Sequence, residues 1–373
     1  MLITNCAACA APLAHDAPRC VRCKTRYCNS TCQHDHWRGH KQICKIIHRG
    51  GDAEQYHADN RYKEAVTVAV EKCADDTKGQ TCYICTEAVH WKTKEGLVRG
   101  CACRGTAGFA HVSCLAEQAK ILVAEAEENN LDDTRFARWH TCSLCEQDYH
   151  GVVRCALGWA CWKTYVGRPE GDQLLGMALN QLGNGLQRAR HHDDALSVQE
   201  VELSMLRRIG VAEHNNLMLN AKGNLAATYY AFGRLEDSVL LNRDVYSLYL
   251  KHFGEEHEES LLTANNYALA LIKLGSYVEA KSLLRRMLPV ARRVLGEANT
   301  SLSMKKLYGL ALYTDPGATL DDLREAVTTL EETERIGRRL LGGTNPIVGA
   351  IESLLLEARY ALRARETPPR GSF

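Results

Sequence analysis

The chain has 373 residues, 24% of them charged, with a formal net charge of +1. That length allows two or three domains, and the near-neutral balance gives no electrostatic case for nucleic acid or an anionic membrane. No run of eighteen apolar residues occurs, so no membrane-spanning helix is expected. The opening MLITNCAACAAPLAHDAP lacks the basic start and long apolar stretch of a secretory leader, so a cytoplasmic or nuclear rather than secreted protein is expected. All seventeen cysteines lie at or before Cys161, and the last 212 residues contain none. In a reducing compartment such clusters are metal ligands or catalytic thiols rather than disulfides, and their uneven placement marks a domain boundary.

The first cluster pairs Cys6 with Cys9, Cys20 with Cys23, Cys28 with Cys32 and His40 with Cys44. A C-x2-C pair forms a tight turn that aims two thiolates at one ion, while ligands four residues apart share a helix face. Eight ligands make two closed tetrahedral sites, for which zinc is the favoured ion. Four pairs within 39 residues are not a chance spacing, and His34 and His36 are left as surface or neighbouring residues. The run from Cys6 to Cys44 resembles the MYND zinc finger, carried by YC at 27–28, CQ at 32–33, HW at 36–37 and His40-x3-Cys44. The resemblance implies that Cys6, Cys9, Cys28 and Cys32 share one zinc and Cys20, Cys23, His40 and Cys44 the other. It also implies a peptide-binding finger. No segment resembling the methyltransferase domain that accompanies some such fingers is seen.

Residues 52–74 read as a helical linker, with Ala65, Val66, Ala69 and Val70 on one stripe. The second cluster holds CYIC (82–85), CAC (101–103), HVSC (111–114) and CSLC (142–145), eight further ligands for two more closed sites. Gly105 and Gly108 let the intervening loop turn sharply, and His111 and Cys114 stand in the first turn of a helix that runs on through LAEQAKILVAEAEENN. The ligand order resembles the RING-CH, or RING-variant, finger. Its most telling part is CACRGTAGFAHVSCL, and CSLCEQDY matches its closing element. The resemblance implies that Cys82, Cys85, His111 and Cys114 share one zinc and Cys101, Cys103, Cys142 and Cys145 the other. It further implies a surface that holds a ubiquitin-loaded conjugating enzyme without supplying a nucleophile, with Ile84 at the apolar contact position. The sequence departs from the family at Gln118, where many members have Trp, and at Glu146, where active fingers often have Arg or Lys. The span of 27 residues between Cys114 and Cys142 is also long. A PHD-like histone reader has the same ligand order but a wider second pair and a Trp closer to the last one than Trp139.

Cys73, Cys155 and Cys161 remain, and CALGWACW is expected to pack an apolar segment behind the finger. Four zinc ions on fourteen thiolates would take the formal charge from +1 to about −5, further disfavouring nucleic acid. GRPEGD (167–172) marks a second boundary. Beyond it, KGNLAATYYAFGRLEDSVLL and ANNYALALIKLGSYVEAKSLL repeat with a 42-residue step: Asn224 aligns with Asn266, Gly233 with Gly275, Ser238 with Ala280 and Gly254 with Gly296. Looser copies stand around Asn184 and Tyr308, the latter with an insertion at Asp315-Pro316-Gly317. Each unit reads helix, glycine turn, helix, loop, and such units bury their apolar faces only by stacking. The repeat resembles the long tetratricopeptide repeats of kinesin light chains. Asn184, Asn224 and Asn266 recur on the first helix of each pair and are candidates for a peptide groove, or for caps and bridges between helices. The Arg-Arg pairs at 207, 285, 292 and 338 read as solvated faces.

The expected fold is mainly α: two small zinc-stabilised cross-brace fingers followed by an α-solenoid of helix pairs. The expected domains are a MYND-type finger at 6–44, a helical linker at 52–74, a RING-CH-type finger at 78–150 and a repeat solenoid at 173–363. The resemblance implies a ubiquitin ligase or ligase subunit with four Zn(2+) per chain, whose partners are a conjugating enzyme and peptides taken by the MYND finger and the solenoid. The competing class is a non-enzymatic scaffold.

Overall fold

The structure is a computed structural model that describes residues 5–366 apart from positions 12, 15, 132, 298 and 342–345. Among the described residues the regular elements are helices, one short 3-10 turn (Asp133–Trp139) and three isolated β-bridges. The helices are α1 (Ser30–Arg49), α2 (Ala53–Cys73), α3 (Val112–Glu128), α4 (Gly151–Tyr165), α5 (Gln173–Arg188), α6 (His192–Arg208), α7 (Asn216–Ala231), α8 (Leu235–Phe253), α9 (Glu258–Leu274), α10 (Tyr277–Leu295), α11 (Asn299–Thr314), α12 (Leu320–Leu341) and α13 (Pro346–Glu366). They form two units that divide after Ala212.

In the first unit α4 is the central element. It packs on α2, α3 and α5, and eleven of its fifteen residues are buried. A helix apolar on all sides belongs in a core, which explains why CALGWACW shows no polar face. Cys155 and Cys161 lie in this core, and burial pushes the Cys155 thiol up to about 12, so both stay protonated and inert. The α4–α5 crossing is close because glycines face backbone. A Cβ at Gly158 would stand 2.9 Å from the Gln181 carbonyl oxygen, and one at Gly185 2.9 Å from that of Arg154. The segment read as a linker is therefore structural. α2 buries Ala58, Tyr62, Val66 and Ala69 in the same core, with Ala65 and Val70 packed at its edge.

The helix pair α5/α6 lies in this first unit too, beyond the Gly/Pro segment at 167–172. It carries a polar bridge, the structural alternative weighed for Asn184. Asn184 donates to Asn180 at 3.0 Å, and Asn180 donates to Glu202 of α6 at 3.0 Å. Burial pushes the Glu202 carboxyl from 4.5 up to about 8, against the pull of the Asn180 amide.

In the second unit each helix packs on the next, α7 on α8 through to α12 on α13, and α9 and α11 also touch. This is the stacked helix-pair solenoid. Gly233 and Gly275, aligned in the repeat, turn the chain at φ +75° and +87°, where a side chain would be strained. The aligned Ser238 is fully buried, and its hydroxyl donates to the Ala226 carbonyl at 2.9 Å. Buried or nearly buried lysines tie neighbouring helices. Lys222 sits between Glu213 and Asp244, and Lys281 pairs with Asp315 at 2.8 Å. The Arg-Arg pairs are solvated yet also tie helices: Arg286 donates to the Tyr246 hydroxyl at 2.6 Å and Arg285 to that of Tyr308. The last predicted inter-repeat loop falls partly on 342–345, outside the described residues.

Glu202 generates a pH prediction. Its carboxyl is protonated in the folded chain and ionised in the unfolded chain at neutral pH, so stability declines as pH rises from about 4.5 to about 8. The slope is up to about 1.4 kcal/mol per pH unit. Glu202→Gln should flatten that decline between pH 6 and 8.5 in thermal melts and raise the Tm at pH 7; an unchanged slope would show that Glu202 is ionised in place.

Candidate metal centres

Four short turns each carry a pair of thiols, and they share one geometry. The amide of Cys6 donates to the carbonyl of Ala11 at 2.7 Å while that of Ala10 returns to Cys6 at 2.9 Å. The same pair of bonds joins Cys20 to Thr25 and Lys24, Cys82 to Glu87 and Thr86, and Cys142 to Gln147 and Glu146. In each turn the fifth residue is left-handed: Ala10, Lys24, Thr86 and Glu146 have φ of 56–64°. This folding leaves amide groups facing sulfur. Ile84 N–H reaches Cys82 Sγ and Leu144 N–H reaches Cys142 Sγ, both at 3.4 Å.

Helices supply the remaining donors. Asn29 caps α1 through the Cys32 amide at 2.9 Å, and His40 and Cys44 lie one turn apart on its buried face. His111 begins α3, with Cys114 in its first turn. Glu95 fixes that end by accepting from the Ser113 amide and hydroxyl at 2.7 and 2.6 Å. No motif marks Glu95, which lies eighteen residues away. The loop 101–108 is held by Arg99, which donates to the Gly105 carbonyl, pairs with Asp76 at 2.9 Å and lies 4.3 Å over the Phe109 ring.

The result is four groups: Cys6, Cys9, Cys28 and Cys32; Cys20, Cys23, His40 and Cys44; Cys82, Cys85, His111 and Cys114; and Cys101, Cys103, Cys142 and Cys145. Within each, the four donor atoms lie within 4.8 Å of one another. His40 presents Nε2, 3.2 Å from Cys23 Sγ, whereas His111 presents Nδ1, 3.3 Å from Cys85 Sγ. His36 stands beside His40, ring centroids 5.4 Å apart, and pairs with the Tyr27 hydroxyl, while His34 is exposed. Cys73 belongs to none of the groups; it is half-buried at the end of α2, near the Arg99 carbonyl.

The electrostatics of the groups call for a cation. Burial would raise the Cys6 thiol, but the amides of Cys9, Cys28 and Ala8 bring it down to about 6; Cys145 likewise falls to about 7, chiefly through the Gln147 amide. Their neighbours move the other way. Burial and adjacent thiols push Cys44 up to about 12 and Cys101 up to about 11, and Cys103 and Cys114 higher still. Clustered thiolates cannot all ionise together unless a positive charge sits among them. Four donors, three or four of them sulfur with at most one imidazole, are the donor set of a structural zinc site. Thr25 adds a hydroxyl 3.0 Å from Cys23 Sγ, a contact that steadies a ligand.

A fifth turn of the same shape binds nothing among these groups. His90 accepts from Lys94 and donates to Glu95 through the backbone, and Lys94 is left-handed at φ +60°. His90 Nδ1 takes the sulfur's place and accepts the Thr93 amide at 3.1 Å. Its tip residue Trp91 is 69% exposed.

Comparison with known families agrees with this geometry. Residues 6–44 match the MYND finger, residues 82–145 the RING-variant domain, and residues 218–259 and 260–300 the tetratricopeptide repeat. The chain carries a MYND finger, a RING-variant domain and tetratricopeptide repeats. Among solved structures, a putative kinesin light chain of Podosopora anserina with nearly identical TPR-like repeats is 18% identical. The match covers 62% of this chain and 98% of that one, with a TM-score of 0.44. BtubC (BKLC) from P. vanneervenii is 15% identical over 70% of this chain and 94% of its own, with a TM-score of 0.42. No helix among the described residues is long and apolar enough to cross a membrane.

The three asparagines singled out in the repeats are not equivalent. Asn184 is engaged with Asn180 in the α5–α6 bridge, Asn224 is half-buried on α7, and Asn266 is exposed on α9 with the Asn265 amide 3.4 Å from its side-chain oxygen.

In the RING-variant domain Gly108 has φ +84°, and a Cβ there would lie 2.6 Å from Cys103 Cβ and 3.2 Å from Cys101 Sγ. Gly108→Ala should therefore open the Cys101–Cys103–Cys142–Cys145 group alone. Native mass spectrometry should show one zinc fewer than the unaltered chain; an unchanged count would mean that the loop moves aside at no cost to the site.

Proposed function

We propose that the chain is a zinc-dependent ubiquitin ligase, or ligase subunit, of the RING-variant type. In this reading the MYND finger at 6–44 and the repeat helices at 173–363 recruit substrate or partner, the finger at 78–150 holds the conjugating enzyme, and 52–74 is the helix that joins the two fingers. The sixteen donors named above hold four Zn(2+), which supply structure and no reacting group. Residence in the cytoplasm or nucleus follows from the reducing compartment that free thiolates require.

The observation that carries the reading is the surface between two zinc turns. Their tips expose Ile84 and Leu144, 37% and 50% accessible, and are joined by the Tyr83 hydroxyl to Ser143 at 3.0 Å. Beside Ile84 opens a groove of about 1130 Å³ that also takes in Trp91, Gln118 and Ile121. A rigid apolar platform of this kind suits the holding of a charged conjugating enzyme in a reactive pose, where the gain comes from orientation. Gln118 lines the groove as a half-buried polar residue in place of the usual Trp. The missing cation at Glu146 has a substitute. Arg138 reaches the Cys142 carbonyl at 3.4 Å and pairs with Glu146 at 3.2 Å, placing a guanidinium beside the last zinc turn from eight residues upstream. The scaffold reading is favoured by Gln118 and by Glu146, whose pairing with that guanidinium neutralises it before any partner arrives.

Ubiquitin discharge separates the two readings. The zinc-loaded chain should accelerate release of ubiquitin to lysine from at least one loaded conjugating enzyme. Ile84→Ala and Leu144→Ala should each cut the rate at least about tenfold, about 1.4 kcal/mol, without loss of zinc. Arg138→Ala should lower it less. A fully metallated chain that discharges none of a broad panel would leave the scaffold as the reading.

A further inference from the structure

The terminal helix α13 has two apolar faces. One carries Val348, Ile351, Leu355 and Ala358, all buried within the second unit. The other carries Gly349, Ser353, Leu356 and Tyr360, all exposed, with Leu356 at 71% and Tyr360 at 76%. Their spacing of four, three and four residues confines them to about 60° of the helix circumference, the stripe along which a second helix packs. The charged residues flanking this stripe are drawn back toward the body. Glu352 pairs with Arg338, Glu357 accepts from the Tyr313 hydroxyl at 2.8 Å, Arg359 pairs with Glu331 at 2.7 Å, and Glu366 pairs with Arg324 at 3.1 Å. What faces outward over 349–360 is an uncharged seam, small at its N-terminal end and large at its C-terminal end, with the exposed Arg363 one turn beyond Tyr360.

We propose that this seam pairs with the same seam of a second copy of the chain, the two α13 helices running antiparallel about a two-fold axis midway between residues 354 and 355. The seam is self-complementary in that arrangement alone. Gly349 of each copy faces Tyr360 of the other, and Ser353 faces Leu356, so each large side chain meets a small one. A parallel pairing would set Tyr360 on Tyr360 and leave the small ends with a gap. The open space required at Gly349 is present, since nothing lies within 4 Å of where its Cβ would be. Charge does not oppose the pairing: on one flank Glu352 comes level with Arg359 of the second copy to within roughly 3 Å along the axis, two residues of helical rise, each already paired within its own copy. An isologous contact of this kind closes on itself and yields a dimer rather than a filament. The proposal stands apart from the ligase reading and needs neither finger.

Two helices meeting over three turns bury less than the roughly 1,200 Å² of a stable complex, so the dimer is weak and concentration-dependent. Sedimentation equilibrium of the full zinc-loaded chain, from about 1 to about 200 μM around the micromolar range expected for small interfaces, should show a monomer–dimer equilibrium. Leu356→Glu with Tyr360→Glu should leave the chain monomeric at every concentration, with its helical content and Tm unchanged because both side chains are exposed. A photo-crosslinking residue at position 360 should capture the segment around Gly349 of the other copy. A chain monomeric throughout, a dimer indifferent to the double substitution, or capture of a segment elsewhere would each overturn the proposal.

Discussion

The mutual repulsion of clustered thiolates is the constraint on which the N-terminal half depends. Fourteen cysteines and two histidines meet in four groups, each too tight to hold its full negative charge without a cation at the centre. For donor sets of this kind metal binding and folding are one event. The short turns that carry the ligands add little apolar surface to the cores they join, Tyr27, Ile47 and Ala53 in the first finger. What they have is a backbone bend closed by two hydrogen bonds, a left-handed fifth residue and amide groups aimed at sulfur.

The turn at His90–Glu95 isolates that backbone rule from the metal. It adopts the same bend with an imidazole nitrogen where the sulfur would be, and it closes through Thr93. The bend is thus a property of the chain that an ion can occupy or an internal acceptor can satisfy. In this finger it places Trp91 on the same groove as Ile84, walled by α2, α3 and α4. The fingers are tied into this helical framework. Ala53 at the start of α2 donates to the Cys23 carbonyl at 2.8 Å, and Gln55 reaches the Lys163 carbonyl of α4 at 3.2 Å.

Much of this was legible in the sequence, because short-range spacing encodes short-range geometry. The cysteine pairs, the glycine at 108 and the 42-residue repeat each express a local requirement: two donors on one turn, a backbone without Cβ, a helix pair that must stack. What the sequence did not disclose depends on residues distant along the chain. Glu95 caps α3 from eighteen residues away, and Arg138 pairs with Glu146 from the 3-10 turn eight residues upstream. The segment 52–74 looked like a linker because its own apolar stripe is modest, yet α4, about a hundred residues later, turns it into core. Nothing in the local pattern of α6 marks Glu202, which α5 covers. Asn184, aligned with Asn224 and Asn266, proved to share their register and not their surroundings, since repeat position fixes the backbone and the neighbouring helix decides the contacts.

The central claim is that four closed, sulfur-rich sites organise the N-terminal half. X-ray absorption at the zinc edge of the purified chain tests it most directly. Fourteen cysteines and two histidines over four ions predict a mean shell of about 3.5 sulfurs at about 2.3 Å and about 0.5 nitrogen at about 2.0 Å, with no water oxygen. A shell containing oxygen, or a sulfur number near two, would show that the groups do not close around metal and would contradict the account.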